Sequence, residues 1–255
     1  MLVDSHAHLQ WPLFDRDREE VINRAEKAGV TKIVNIGFDL EGSKKGVKLA
    51  EKYNNLFAIV GVHPHNASQL DRYALNELKR LAENSKVVAI GEIGLDYYRD
   101  LSPREIQKEA LTKQLHLAEE LALPVVIHNR NAHHDILTSL HTFRRRLKGV
   151  LHCFSGSKEM AAQCIDWGFY ISFAGTVTFP NARKLQATAK WLNLGKILLE
   201  TDCPWLAPQE VRGKRNEPAF LTYIAEKIAK LKETTFEKVS DVTSKNVAEI
   251  FDLPR

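Results

Sequence analysis

Eight short apolar runs alternate along this chain with longer stretches of helical period, and that alternation constrains the fold more than any other feature. The runs fall at 2–5, 32–36, 57–62, 87–91, 124–127, 149–152, 169–173 and 196–200. Between them lie amphipathic stretches such as 15–28, 103–121 and 181–192, while 217–232 sets Phe220, Leu221, Ile224, Ala225, Ile228 and Leu231 on one helical stripe. Pro103 after Ser102 reads as a first helical residue behind its cap. Strand then helix, repeated, implies parallel strands, because a parallel neighbour is reached only through a crossover that covers the sheet. Closing eight such units gives an α/β fold, a single-domain TIM-type (β/α)8 barrel over residues 1–255, with an open doubly wound sheet as the alternative. No glycine-rich phosphate loop follows any run, which removes the commonest reason for the open form. The tail from 236 onward is expected to add one or two short helices on the outside.

Barrels routinely occupy a length of 255 residues as one domain. Apolar residues make up 44% and charged residues 27%, enough for a large core under an ordinary surface. The 36 basic and 32 acidic side chains leave a net +4, which neither demands nor repels a nucleic acid. No window nears the ~20 continuous apolar residues of a membrane span, and no basic-then-apolar leader opens the chain. Cys153, Cys164 and Cys203 are odd in number and lack a Cys-x-x-Cys pair, so reduced thiols and a cytoplasmic location are expected.

The unusual residues cluster at the ends of the strands. His6 and His8 close the first strand at i and i+2, a spacing that puts both imidazoles on one face. The third ends in His63-Pro64-His65, the fourth in Glu92, the fifth in His128, the sixth in His152 and the eighth in Asp202. Adding His133 one turn on, seven of the ten histidines lie where a barrel opens onto its active face. Each alone has an ordinary explanation, such as a loop cap for Glu92 or a turn former for Asp202. Together they describe a metal centre. Four histidines with two carboxylates suit zinc, manganese, iron or, less readily, magnesium. Six ligands exceed one tetrahedral site, so two divalent ions sharing Glu92 and a water are the economical arrangement. Ions ~3.5–4 Å apart can activate one hydroxide and stabilise attacking and leaving oxygens together.

In these residues the chain resembles the TatD family of metal-dependent deoxyribonucleases. The resemblance runs from Asp4-Ser5-His6-Ala7-His8 through Gly61-Val62-His63-Pro64-His65 and Gly91-Glu92-Ile93-Gly94-Leu95-Asp96. It continues through Pro124-Val125-Val126-Ile127-His128, His152-Cys153-Phe154-Ser155-Gly156 and Glu200-Thr201-Asp202-Cys203-Pro204-Trp205-Leu206, and closes with Arg212-Gly213-Lys214-Arg215-Asn216-Glu217-Pro218. Asn129-Arg130-Asn131 departs from the Arg-x-Ala stretch of many members. The resemblance implies that His6, His8 and Asp202 hold one ion, His128 and His152 the other, and that Glu92 bridges. It also implies hydrolysis of DNA phosphodiesters, as a 3′-to-5′ exonuclease preferring single strands, with magnesium, manganese or zinc. Asp202 is then expected to accept or orient the proton of the attacking water, with Glu92 and His63 as its catalytic companions.

His65, Arg212, Arg215 and Tyr97 are the candidate substrate contacts, with Lys214 beside them. Guanidinium groups match phosphate geometry, and Tyr97, Tyr98 or Trp205 can stack on bases or simply pack the rim, packing being the expectation for Trp205. Arg144-Arg145-Arg146 precedes the sixth strand on the opposite face and reads as a solvated helix end. Competing functions are an amidohydrolase or lactonase acting on a small molecule, an aminoacyl-tRNA deacylase, and a non-catalytic metal-binding protein. A carboxylated lysine often bridges metals in the amidohydrolase branch, where this chain supplies Glu92. No membrane and no obligate protein partner are expected.

Overall fold

The computed structural model describes residues 1–254. Its strands are β1 (Leu2–Ala7), β2 (Val30–Ile36), β3 (Leu56–Val60), β4 (Val87–Asp96), β5 (Val125–Arg130), β6 (Gly149–Leu151), β7 (Phe169–Phe173) and β8 (Ile197–Leu199). They form one parallel sheet in chain order, the sequence expected of a barrel and not of a doubly wound sheet. The helices α1 (Arg18–Lys27), α2 (Leu40–Lys52), α3 (Arg72–Leu81), α4 (Arg104–Glu120), α5 (His133–Phe143), α6 (Lys158–Asp166), α7 (Arg183–Trp191) and α8 (Leu221–Lys232) follow the strands in turn. The barrel is nearly closed. Between β1 and β8 the seam holds a single parallel bridge, Ala7 to Cys203. It is reinforced where Asp202 N donates to the His6 carbonyl and His8 N to the Cys203 carbonyl, both at 2.9 Å.

Two apolar clusters divide the core. One joins the outward side of the strands to helical residues such as Val21, Leu78, Leu111, Ile136 and Ile224. The other takes the alternate strand positions, including Val3, Ile36, Ile59, Val126, Val150 and Leu198, and therefore fills the barrel interior. Its helical members all come from α9 (Phe236–Phe251) and the turn beyond it: Val247, Ile250, Phe251 and Leu253. The tail is thus one helix of 16 residues, and it stoppers the barrel at the end away from the strand C-termini instead of lying outside it. Helical period announces an apolar stripe but not the surface it meets.

Several boundaries move for physical reasons. β1, β4 and β5 run past their apolar stretches, because the polar residues at the mouth stay in the ladder, Gly94 opposite His128 and Asp96 opposite Arg130. Gly94 is needed there: its φ is +150° and a Cβ would lie 1.9 Å from the His128 carbonyl oxygen. Before α1, Pro12–Phe14 forms a separate 3-10 turn, and Asp17 takes the cap position. Ser102 does not cap α4. Its hydroxyl donates to the His65 carbonyl at 2.9 Å, and Pro103 holds the cap position with no side-chain bond. No helix among the described residues is long and apolar enough to cross a membrane.

Candidate metal centre

Strand ends deliver six ligand side chains to one buried pocket. From β1 come His6 and, one residue past it, His8, whose Nε2 atoms lie 3.1 Å apart. Glu92 Oε2 is 3.3 Å from His6 Nε2 and 3.8 Å from His8 Nε2. Asp202 Oδ1 completes the group at 3.7 and 3.4 Å from the same two nitrogens. A tetrahedral ion with bonds of ~2.0–2.2 Å spaces its ligand atoms about 3.4 Å apart, so this quartet has the dimensions of a metal cage.

The other oxygen of Glu92 faces a second group. Oε1 is 2.7 Å from both His128 Nδ1 and His152 Nε2, which are themselves 3.2 Å apart. His63 Nε2 approaches the same oxygen at 3.4 Å. One carboxylate therefore divides its oxygens between two imidazole clusters. The donor set and its spacing fit divalent cations.

Hydrogen bonds behind the imidazoles settle which nitrogen is free. His8 Nδ1 donates to the Ile36 carbonyl at 2.9 Å, His128 Nε2 to Asp96 Oδ2 at 3.2 Å and His152 Nδ1 to Glu200 Oε1 at 3.3 Å. Each leaves its inner nitrogen facing the pocket, where it holds a proton against Glu92 or, once that proton is lost, offers a lone pair to a cation. His63 is arranged the other way. Its Nδ1 accepts from His65 N at 3.1 Å, so its Nε2 carries the hydrogen and faces Glu92 as a donor. Burial, reinforced by His128 and His65, pushes that imidazole down to about 4 and keeps it neutral.

Electrostatics follow the same division. Burial works against charge on Glu92, yet the imidazoles of His152 and His63, with hydrogen bonds from His128 and His152, hold its carboxyl well below the usual range. His152 resists burial and is raised well above the ordinary histidine value by Glu92 and Glu200. His128 is likewise raised against burial by Asp96 and Glu92. Asp202 is lowered against burial by His8 and His6.

Asp96 and Glu200 are positioning residues that strand-end reasoning passed over, although both lie inside the motif blocks. Asp96 Oδ2 also meets His65 Nε2 at 2.8 Å, while its Oδ1 accepts from Tyr98 N and Arg99 N at 2.9 and 2.8 Å. Glu200 Oε1 accepts in addition from Cys153 N at 2.6 Å. Asp4, fully buried, ties the seam by accepting from Thr201 N at 2.9 Å and Thr201 Oγ1 at 2.5 Å. Burial drives its carboxyl up to about 7. Their signal was legible only as carboxylates two to four residues from the candidate ligands on otherwise apolar strands.

The remaining candidates sit farther out. His65 lies at the rim, its side chain 29% exposed against Asp96. The Tyr97 hydroxyl donates to Asp135 Oδ2 at 2.7 Å, and the Arg104 guanidinium covers its ring. Arg212 lies over the Phe179 ring. Arg215 makes a bidentate pair with Asp17 at 2.8 and 2.6 Å, donates to the Leu13 carbonyl at 2.7 Å and covers Phe14. That network already engages its guanidinium within the fold. All three cysteines are free, and burial raises the Cys153 and Cys203 thiols well above their usual value, so neither is a thiolate nucleophile.

Comparison with known proteins agrees with this geometry. A model of the family described as TatD related DNase matches residues 3–252. The uncharacterized metal-dependent hydrolase YabD of Bacillus subtilis is 45% identical over 252 residues, which are 98% of this chain and 99% of that protein. The 3′-5′ ssDNA/RNA exonuclease TatD of Cronobacter sakazakii is 38% identical over 244 residues, 93% of each chain. The crystal structure of YjjV, a TatD homologue from Escherichia coli K12, matches with a TM-score of 0.94 at 32% identity, covering 99% of this chain and 98% of its own.

Proposed function

Since the chain belongs to the family of TatD-related DNases and is a metal-dependent hydrolase, we propose that it hydrolyses DNA phosphodiesters as a 3′-to-5′ exonuclease preferring single strands. The observation that carries this reading is the divided carboxylate of Glu92, with His6 and His8 on one oxygen and His128 and His152 on the other. Such a bridge suits a pair of ions, and an ion pair suits in-line displacement at phosphorus. Relatives named for 3′-5′ cleavage of single-stranded DNA and RNA support the substrate class.

In this proposal His6, His8 and Asp202 would hold one divalent ion and His128 and His152 the other, with Glu92 shared between them; magnesium, manganese and zinc are the candidates. Bound there, the ions supply Lewis acidity toward the phosphoryl oxygens and acidify the attacking water. The protein groups do the rest. Asp202, kept anionic by His8 and His6 and 14% exposed at its side chain, accepts or orients the proton of the attacking water. His63 Nε2–H donates to a nonbridging phosphoryl oxygen, since its neutral ring and fixed tautomer make it a donor. Asp96 and Glu200 keep two imidazoles aimed. A cleft of about 540 Å³ beside Cys153, lined by Phe154, Ser155, Thr176, Asn181 and Arg183 among others, offers the strand a way in.

Metal-reconstituted protein incubated with single-stranded DNA labelled at one or the other end tests the reading. Mononucleotides released from the 3′ end, and lost in Glu92→Ala, are expected. Inert DNA alongside brisk hydrolysis of a lactone or carboxylic-ester panel would overturn it.

A further inference from the structure

Three aromatic side chains stand beside the His6–His8–Asp202 half of the centre without a part in the chemistry described. Trp11 follows β1, Phe38 follows β2 and Trp205 lies in the loop after β8, so the barrel seam makes their loops neighbours. The Trp11 ring centroid is 4.8 Å from Phe38 and 5.1 Å from Trp205, the latter pair crossing at 68°. His8 meets the group edge-on, 5.2 Å from Trp205 and 6.3 Å from Phe38. All four separations fall in the attractive range for ring pairs, with Trp11–Phe38 tilted at 57° and the other three edge to face. Trp11 is half-buried and packs against the core, but Trp205 is left 42% exposed.

We propose that Trp205, supported by Trp11 and Phe38, is the stacking seat for the base of the nucleotide being removed. This assignment rests on the nuclease reading above and names a part of the substrate that the metal-ligating groups do not touch. Trp205 cannot drift from the reacting atoms: its backbone N–H donates to the Asp202 carbonyl at 3.1 Å, and its carbonyl accepts from Asn216 Nδ2 at 2.6 Å. The turn that presents Asp202 therefore presents the indole as well, within the length of one nucleotide of His8. An exonuclease must accept every base in succession, and stacking does so because all four have a π face.

The test is binding to the metal-free protein in EDTA, read by tryptophan fluorescence and by anisotropy of a 5′-labelled oligonucleotide. The ligands are decathymidylate and a decamer of abasic tetrahydrofuran phosphates of equal charge. Two of the four tryptophans lie at the seat, so decathymidylate should quench part of the emission and the abasic decamer should not. Trp205→Ala should weaken decathymidylate about ten-fold, leave the abasic decamer unaffected, and be largely rescued by Trp205→Phe. Equal affinity of Trp205→Ala and wild type for decathymidylate, in protein that cuts it once manganese is restored, would overturn the seat alone. A wild-type protein that neither binds nor cuts the oligonucleotide would overturn the nuclease reading and the seat with it.

Discussion

Glu92 serves two imidazole clusters with one carboxylate, and the residues around it differ in what their loss should do. Asp202→Asn preserves shape and removes the proton acceptor, so the fold should hold while kcat falls by about 10²–10⁴; matched circular dichroism and single-turnover kinetics check this, and near wild-type turnover would remove Asp202 from that role. Asp96→Asn and Glu200→Gln leave every ligand in place and release one imidazole each. Metal affinity or activity should fall about 10–100-fold, measured by competition with a chelator. The convergence of these side chains was readable in the sequence because histidine and carboxylate are rare at the ends of apolar strands and here recur there. Asp96 and Glu200 were not, because what defines them is the ring they touch at the end of another strand, and strand order alone says nothing about that. The tautomer of His63 is hidden for the same reason: it depends on a backbone N–H two residues away.

At the scale of elements, two features fasten the loops and close the core. The loop ahead of α8 is clamped to α1 by Arg215 on Asp17 and by Arg24 on Glu217 at 2.9 and 2.7 Å. Hydrogen bonds from Arg215 hold the Asp17 carboxyl down at about 2, against partial burial. A depressed carboxyl stabilises the fold above its unfolded value and loses that contribution as pH falls toward 2. Asp17→Asn should therefore cost about 1–2 kcal/mol at pH 7 and progressively less from about pH 4 to pH 2, followed by urea denaturation across pH. An equal loss at every pH would mean that packing, not charge, holds the loop. The stopper helix makes a larger claim. Phe251 is 2% exposed inside the barrel cluster, and Phe251→Ala should cost about 3–5 kcal/mol in the same measurement. A cost below about 1 kcal/mol would place the tail outside, as its sequence alone suggested. Helix existence was legible there from period; the partner surface was not, since an apolar side chain does not name in sequence the surface it packs on.

Over the whole molecule, the centre draws on β1, the β4 and β5 ladders, and the turns after β6 and β8, so an ion held there bridges distant parts of the barrel. Chelation should lower the unfolding midpoint, and manganese at 100 times its Kd should restore about 2.7 kcal/mol. The sign with pH follows from His128 and His152, whose imidazoles hold a proton more tightly than a free histidine does when Glu92, Asp96 and Glu200 face them without an ion. An ion must expel those protons, so metal stabilisation should grow as pH rises and shrink as it falls. Differential scanning fluorimetry with and without metal at several pH values reads this directly; a metal shift that grows toward acid would contradict the ligand assignment. The barrel itself was the most legible level, because eight strand–helix alternations admit few closures. The long β4 and the three-residue β6 and β8 were less so, since hydrogen bonding at the mouth and not hydrophobicity sets where those strands stop.

The seam between the first and last strands also bears on how the protein is made. A ribosome delivers His6 196 residues ahead of Asp202, and only their side-by-side pairing builds the first half of the centre. A nascent chain can fold several strand–helix units beforehand, but it stays chemically inert until β8 emerges and docks. A metal-dependent hydrolase is thereby kept unarmed until its eighth strand is in place.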